Sequence, residues 1–250
     1  MRTKMVVANW KMNKTPKECK AFFRAFSPLY KGSRNREVVI APSYICLPQA
    51  ELSKPASVKL SAQNVSGEAS GAYTGEISVE MLKAIPCDYV IIGHSERRLL
   101  FHESDEEIQK KVVQVIRGGL GGILCVGETR NERKGHQTLE VITRQLKVGL
   151  QGLTSQDLQQ VTIAYEPVWA IGTGEVATAI QVEEVHRWIR EFIWNKFGIE
   201  EASNLRIIYG GSVKAENIYE IASKPNVDGA LIGGASLEAK TFIEILERIK

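Results

Sequence analysis

Eight short apolar runs rich in β-branched residues recur along the chain: Met5 to Trp10, Val38 to Pro42, Leu60 to Asn64, Tyr89 to His94, Ile123 to Val126, Val161 to Glu166, Arg206 to Gly210 and Gly229 to Gly233. Most are apolar without strict alternation, the pattern of strands covered on both faces. Between them lie amphipathic helical patterns with legible starts. Thr15, Pro16 and Glu18 combine a capping box with proline in the first turn, and Cys19, Phe22, Phe23, Phe26 and Tyr30 continue as one apolar stripe up to a stop at Gly32. Ser104 with Glu107 and Thr178 with Gln181 open two more helices, which run to Gly118 and Gly198. A short helix is expected near Glu216 to Ala222, and a long Gly/Ser-containing stretch, Val65 to Ser78, interrupts the third unit.

Strand and helix alternate without a Pro/Ser-rich linker, so a parallel sheet in one domain spanning residues 1–250 is the economical arrangement. Eight units close a (β/α)8 barrel, and about 250 residues is the usual size of one. An open doubly wound sheet is the other arrangement these elements allow.

Composition narrows the function. Thirty-two basic against 29 acidic residues give a net charge of +3, with no long basic run to recommend nucleic acid as a partner. No apolar run reaches the length of a membrane span, and Met1 to Lys4 lead straight into a strand without the zones of a signal peptide. Cys19, Cys46, Cys87 and Cys125 are scattered, with no zinc-ligand spacing, and read as reduced thiols of a cytoplasmic protein.

Polar residues collect where the proposed strands end. Asn9, Lys11, Asn64, His94, Glu166, Ser212 and the pair Gly233-Gly234 all follow carboxyl ends, which in a barrel share the face that carries the chemistry. Taken singly, Glu166 is a carboxylate at a strand end, His94 a core histidine and Lys11 a solvated lysine. Together they offer a base, an electrophile and a positive charge beside glycine turns that let backbone N–H groups approach an anion.

Five segments carry a family resemblance: Asn9-Trp10-Lys11, Gly93 to Arg98, Ala164 to Gly174, Tyr209 to Val213 and Gly233 to Leu237. In order and spacing they resemble the signature segments of the triosephosphate isomerase family, a TIM-barrel family. The resemblance implies reversible isomerisation of dihydroxyacetone phosphate and D-glyceraldehyde 3-phosphate through an enediolate, with no cofactor and no metal. It casts Glu166 as the catalytic base, His94 as a neutral electrophile and Lys11 as the charge that offsets enediolate and phosphate, with Asn9 as a supporting donor. Glu96 belongs to the same set, either chemically or through an ion pair with a neighbouring basic residue. The phosphate is expected on Gly172, Ser212, Gly233 and Gly234.

Pro167, Val168, Trp169, Ala170, Ile171, Gly172, Thr173 and Gly174 correspond to a closing lid, with Trp169 and Ile171 as apolar cover. The loop around Thr74 resembles the one by which the family forms homodimers, with Thr74 bracing the partner's Asn9 and Lys11. Glu175 and Ala179 depart from the lysine and proline that often follow the lid.

Three patterns point elsewhere. Gly172-x-Gly-x-x-Ala177 imitates a dinucleotide turn but lies five residues beyond its strand. Gly93-His94-Ser95 opens like a hydrolase elbow, yet Arg97 replaces the closing glycine, and Ser95 reads as a helix cap. The glycines at 118, 119, 121 and 122 lie between a helix and a strand, at the opposite end of a barrel. Two other functions fit part of the pattern: another sugar-phosphate isomerase, which need not keep Asn9, Lys11, His94 and Glu166 together, and a phosphate-binding protein without turnover.

Overall fold

The computed structural model describes residues 2–171 and 175–249. Eight parallel strands close a barrel in sequence order. They are β1 Lys4–Asn9, β2 Arg36–Ala41, β3 Val58–Ala62, β4 Tyr89–Ile92, β5 Gly121–Val126, β6 Val161–Tyr165, β7 Arg206–Tyr209 and β8 Gly229–Ile232. Closure is made where Met5 pairs with Gly229 and Ala8 with Ile232. Gly229 is required there: its φ is +141°, and a Cβ would stand 1.8 Å from the Met5 carbonyl oxygen. The doubly wound sheet is thereby excluded.

The helices are α1 Pro16–Phe26, α2 Leu47–Ser53, α3 Val79–Lys83, α4 Ser95–Leu100, α5 Asp105–Arg117, α6 Arg130–Lys134, α7 Thr138–Gly149, α8 Ala179–Phe197, α9 Ile199–Asn204, α10 Ala215–Ala222 and α11 Ala239–Arg248. The capping boxes at Thr15, Ser104 and Thr178 form, and Thr129 with Glu132 makes a fourth that opens α6. The first helix is shorter than its apolar stripe. It stops at Phe26, and Tyr30 lies beyond the end, where its ring stacks on Phe26 at 5.0 Å. Packing against the core extends the stripe past the helix that began it. No regular element occupies residues 63–78.

Two apolar bodies follow from the period of the strands. Outward residues meet the helices in a continuous layer that includes Val6, Ile40, Phe23, Ile163, Val182 and Phe242. Inward residues fill the barrel: Met5, Val7, Val39, Ala41, Ile91, Ile123, Cys125, Ala164, Ile208 and Leu231 are all buried. All four cysteines are buried and free.

Below that filling the inward positions become polar. Glu37 on β2, Tyr89 on β4 and Arg206 on β7 meet across the floor, with Arg206 Nη1 2.9 Å and the Tyr89 hydroxyl 2.8 Å from the same Glu37 oxygen. Gly121 makes room, because a Cβ there would lie 2.3 Å from the Tyr89 ring. Beside the floor, Asp228 is buried and takes Arg2 Nε at 2.6 Å, Arg190 Nη2 at 2.7 Å and the Ile207 N–H at 2.9 Å.

His186 on α8 is a core histidine. It is fully buried, and its Nδ1–H donates to the Asn226 carbonyl at 3.1 Å. Burial is the main cause that pushes its ring down from 6.5 to about 4. A base depressed in the folded state adds stability that is present above its unfolded pKa and is lost as pH falls toward the folded one. Between neutral pH and about pH 5 the loss attributable to His186 is expected to be about 2 kcal/mol. Urea unfolding at the two pH values checks this, and a His186→Asn chain should show a shallower acid slope.

Candidate active site

The inward period that fills the barrel also delivers its uppermost layer. Two residues beyond Val7 comes Asn9, beyond Cys125 Gly127, beyond Ala164 Glu166, beyond Ile208 Gly210 and beyond Leu231 Gly233, each on the same face as its predecessor. Asn9, Glu166, Gly210 and Gly233 line one pocket of about 560 Å³, together with Lys11, His94, Glu96, Ser212 and Gly234. Nearly all the expected site residues thus share one cavity. Asn64 does not. Its side chain accepts from Lys111 Nζ at 3.0 Å and its carbonyl accepts from the Tyr44 hydroxyl, which makes it a brace between loops.

His94 ends the β4 loop and caps α4. Its Nδ1 accepts the Glu96 backbone N–H at 3.2 Å, so the ring proton of the neutral tautomer sits on Nε2. That nitrogen faces Glu166 Oε1 at 3.0 Å. Ser95 is therefore not the cap; it is the first helical residue, and its N–H donates to Glu166 Oε2 at 2.7 Å. The turn at Gly93, with φ +70°, brings the imidazole one position earlier than the serine that would ordinarily cap. Glu166 itself is 1% exposed.

Lys11 adopts a left-handed backbone, φ +51°. Two partners hold it there: Asn9 Oδ1 accepts its N–H at 3.0 Å, and Gln63 Nε2 donates to its carbonyl at 2.9 Å. Its Nζ lies 2.5 Å from Glu96 Oε1. The ion pair expected of Glu96 therefore crosses the pocket. The adjacent arginines are otherwise engaged, Arg97 with Glu103 and Arg98 with Asp105. Gly233 keeps this lysine in place, since a Cβ there would crowd Lys11 Cε at 3.3 Å.

Past Glu166, Val168–Ala170 form a single 3-10 turn, and Val168 and Ile171 line the pocket. Trp169 is not among its lining residues. Its indole N–H donates to Glu128 Oε1 at 2.9 Å, which turns the ring toward the wall formed by β5 and β6. Gly172, Thr173 and Gly174, expected in the lid and, for Gly172, on the phosphate, lie outside the described residues. Glu175 pairs with Arg130 of α6 at 3.0 Å, and Ala179 is the buried first residue of α8.

Sequence reasoning missed Glu128. It is fully buried and also takes the Tyr165 hydroxyl at 3.1 Å, Thr138 Oγ1 at 3.4 Å and Arg133 Nη1 at 3.5 Å. Burial is the main cause that raises its carboxyl above the ordinary range. The signal was available: Glu128 follows a strand end, as Glu166 does. Gln63 and Gly127 were missed although they stand at the ends of β3 and β5.

Among the described residues no cluster of His, Cys, Asp or Glu is arranged to hold a metal, and no helix is long and apolar enough to cross a membrane. The loop carrying Thr74 is pinned at its base by the Ser66 N–H to the Ile77 carbonyl at 2.8 Å and folds at its tip through the Glu76 N–H to the Tyr73 carbonyl at 3.0 Å, leaving Thr74 exposed.

Comparison with known proteins agrees over the whole length. The family model described as triosephosphate isomerase matches residues 4–249. A protein of Dictyoglomus thermophilum named triosephosphate isomerase is 48% identical over 248 residues, covering 99% of this chain and all of its own. One of Thermodesulfovibrio yellowstonii is 47% identical over 248 residues with the same coverage, and one of Syntrophotalea carbinolica 45% over 249 residues, covering 99% of this chain and 98% of its own; both bear the same name. With a closed eight-stranded barrel, one strand-end pocket and identity of this extent, the chain belongs to the triosephosphate isomerase family.

Proposed function

We propose that the chain, acting as one catalytic domain, is an intramolecular aldose–ketose isomerase that interconverts dihydroxyacetone phosphate and D-glyceraldehyde 3-phosphate. The observation that carries the reading is the opposition of Glu166 Oε1 and His94 Nε2 at 3.0 Å, with the imidazole tautomer set by a backbone donor. A carboxylate and an N–H donor on one side of a cavity are what removal of a proton beside a carbonyl requires.

Starting from the ketose, Glu166 takes a proton from the hydroxymethyl carbon of dihydroxyacetone phosphate. The C–H electron pair becomes the carbon–carbon double bond, and the carbonyl pair moves onto oxygen. The His94 Nε2–H donates to that oxygen, and Lys11 offsets its charge, with Asn9 as a further donor. After a proton passes between the two oxygens, Glu166 returns its proton to the neighbouring carbon and the aldose results. An ordinary carboxylate is a weak base for such a carbon acid, so placement and oxyanion stabilisation carry most of the acceleration. Glu96 bears on the reaction through Lys11, whose ammonium it holds at 2.5 Å. The Ser95 N–H holds Glu166 in the described position, from which the carboxylate turns toward substrate. The glycine at 210 permits this, since a Cβ there would stand 2.8 Å from Glu166 Cγ.

The phosphate rests on backbone at Ser212, Gly233 and Gly234, where close approach depends on missing side chains; a Cβ on Gly234 meets nothing within 4 Å. Pro167 to Gly174 close over the substrate, with Gly172 adding an N–H, so that the enediolate is kept from water and from loss of phosphate.

Isomerisation in deuterium oxide, followed by proton NMR, tests the reading. Product carrying solvent deuterium on carbon is expected. Product formed at full rate with none would leave either a shielded single-base transfer or a direct hydrogen shift, and near-parental turnover of the Glu166→Gln chain would then sink the role given to Glu166.

A homodimer fits the same geometry. Met12, directly after Lys11, is 97% exposed, and Leu100 and Phe101, at the end of the helix that carries Glu96, are 69% and 64% exposed. A second copy whose Thr74 loop lies over Asn9 and Lys11 covers apolar side chains and steadies the lysine. Light scattering is expected to give twice the chain mass; a fully active monomer would contradict it. Four free, buried thiols suit a reducing cytoplasm.

A further inference from the structure

In the uppermost inward layer both lateral neighbours of Glu166 are glycines, Gly210 on the β7 side and Gly127 on the β5 side. Gly127 is the more constrained. A Cβ there would lie 1.7 Å from the Glu166 carbonyl oxygen and 2.7 Å from its carbon, so the backbone at 127 is pressed directly against the backbone of the base. The parallel ladder also continues past the strand ends on either side of this glycine. The Glu166 N–H donates to the Val126 carbonyl at 2.8 Å, and the Val168 N–H donates to the Glu128 carbonyl at 3.1 Å. The residues flanking Gly127 thereby hold both the base and the start of the lid.

Alternation along a strand turns the N–H and carbonyl of Gly127 itself away from β6. One side chain takes up both. Gln145 of α7, 5% exposed, accepts the Gly127 N–H on Oε1 at 2.8 Å and donates from Nε2 to the Gly127 carbonyl at 3.1 Å. A side-chain amide accepts on one atom and donates from another beside it, which matches the N–H and carbonyl of a single residue, and here it spends that capacity on a residue lacking a side chain to steady it. Its nearest neighbours on the buried face of the helix, Val141, Ile142 and Leu146, are apolar, and the other buried polar side chain, Thr138, lies two turns away at the helix start. Left without partners, buried backbone groups draw in water or shift toward other donors, and the strand end moves with them.

We propose that Gln145 is a positioning residue for the isomerisation: by clamping Gly127 on both of its polar groups it fixes the rail along which Glu166 and the lid entry are set. Gln145 touches no substrate. Its effect passes through the Gly127 backbone to Glu166, and the inference rests on the reading of Glu166 as the base.

The test is a double-mutant cycle on the full-length chain with Gln145→Met, which keeps length and volume and removes both bonds, measured with and without Glu166→Gln. In the Glu166 chain, kcat is expected to fall about tenfold with KM within about twofold, the signature of a misplaced base. In the Glu166→Gln chain the residual rate should not change, because no base remains to be positioned. Equal fold losses in both backgrounds, or a Gln145→Met kcat within about twofold of the parent, would overturn the proposal. Should the methionine chain not fold, Gln145→Asn, whose amide stops one methylene short of Gly127, is read in the same cycle against the same criteria. Failure of the underlying reading shows separately, since Glu166→Gln alone would then keep near-parental turnover, and the positioning role would fall with it.

Discussion

Replacing Glu166 by glutamine is expected to lower kcat by about 10²–10⁴-fold, the usual contribution of a positioned acid–base group, while the fold persists. Glutamine occupies nearly the same volume and still offers an oxygen to the Ser95 N–H, which the carboxylate accepts at 2.7 Å. It lacks a basic oxygen to receive a proton from carbon. The loss should therefore appear in kcat and kcat/KM together, with KM little changed, because Ser212, Gly233 and Gly234, proposed above to hold the phosphate, lie at other strand ends. A coupled assay that converts D-glyceraldehyde 3-phosphate to dihydroxyacetone phosphate and follows NADH oxidation by glycerol-3-phosphate dehydrogenase gives the rates. A thermal unfolding midpoint within a few degrees of the parent shows that the loss is chemical. Near-normal turnover would exclude Glu166 as the base.

The largest effect on stability is expected far from the pocket, at Asp228. Its carboxylate is buried with two arginine partners at 2.6 and 2.7 Å and a backbone donor at 2.9 Å. Asp228→Ala leaves Arg2 and Arg190 facing a desolvated gap and orphans the Ile207 N–H. Breaking a buried ion pair by removing one partner costs about 3–5 kcal/mol, much of it the burden of the charge left behind. For a chain of this size that is about 10 °C in Tm. Differential scanning calorimetry reads the shift, and kcat at low temperature should stay within about twofold, since no group of the cluster lines the pocket. A midpoint shift of only a degree or two would mean that solvent already carries these charges.

The sequence was most informative where one covalent position decides the outcome. Strand ends follow from the change from apolar to polar character, and because side chains alternate, Asn9 and Glu166 could be put on one face from spacing alone. Caps such as Ser104 with Glu107 are local, and they formed as expected. The misreadings share a cause: a contact through space that local rules do not contain. Tyr30 extends the apolar stripe of α1 because Phe26 stacks on it. Ser95 resembles a cap more than His94 does, yet Gly93 turns the chain so that the imidazole reaches the Glu96 N–H first. Glu128 was overlooked because its partners, the Trp169 indole and the Tyr165 hydroxyl, come from the neighbouring strand and the segment that leaves it. Gln145 sits 18 residues from Gly127, and nothing local in a helix announces that an amide will be consumed by a glycine backbone.

The floor of the barrel has a kinetic meaning. Glu37, Tyr89 and Arg206 bind one another beneath a column of packed apolar side chains, so among the described residues the barrel is stopped below the strand-end pocket. Ketose and aldose phosphates that share this pocket exclude one another from it. Each is accordingly expected to act as a competitive inhibitor of the other's conversion, which initial rates with added product would check. Net traffic is then governed by the ratio of the two esters in the surrounding solution, which reverses the flow when it passes equilibrium.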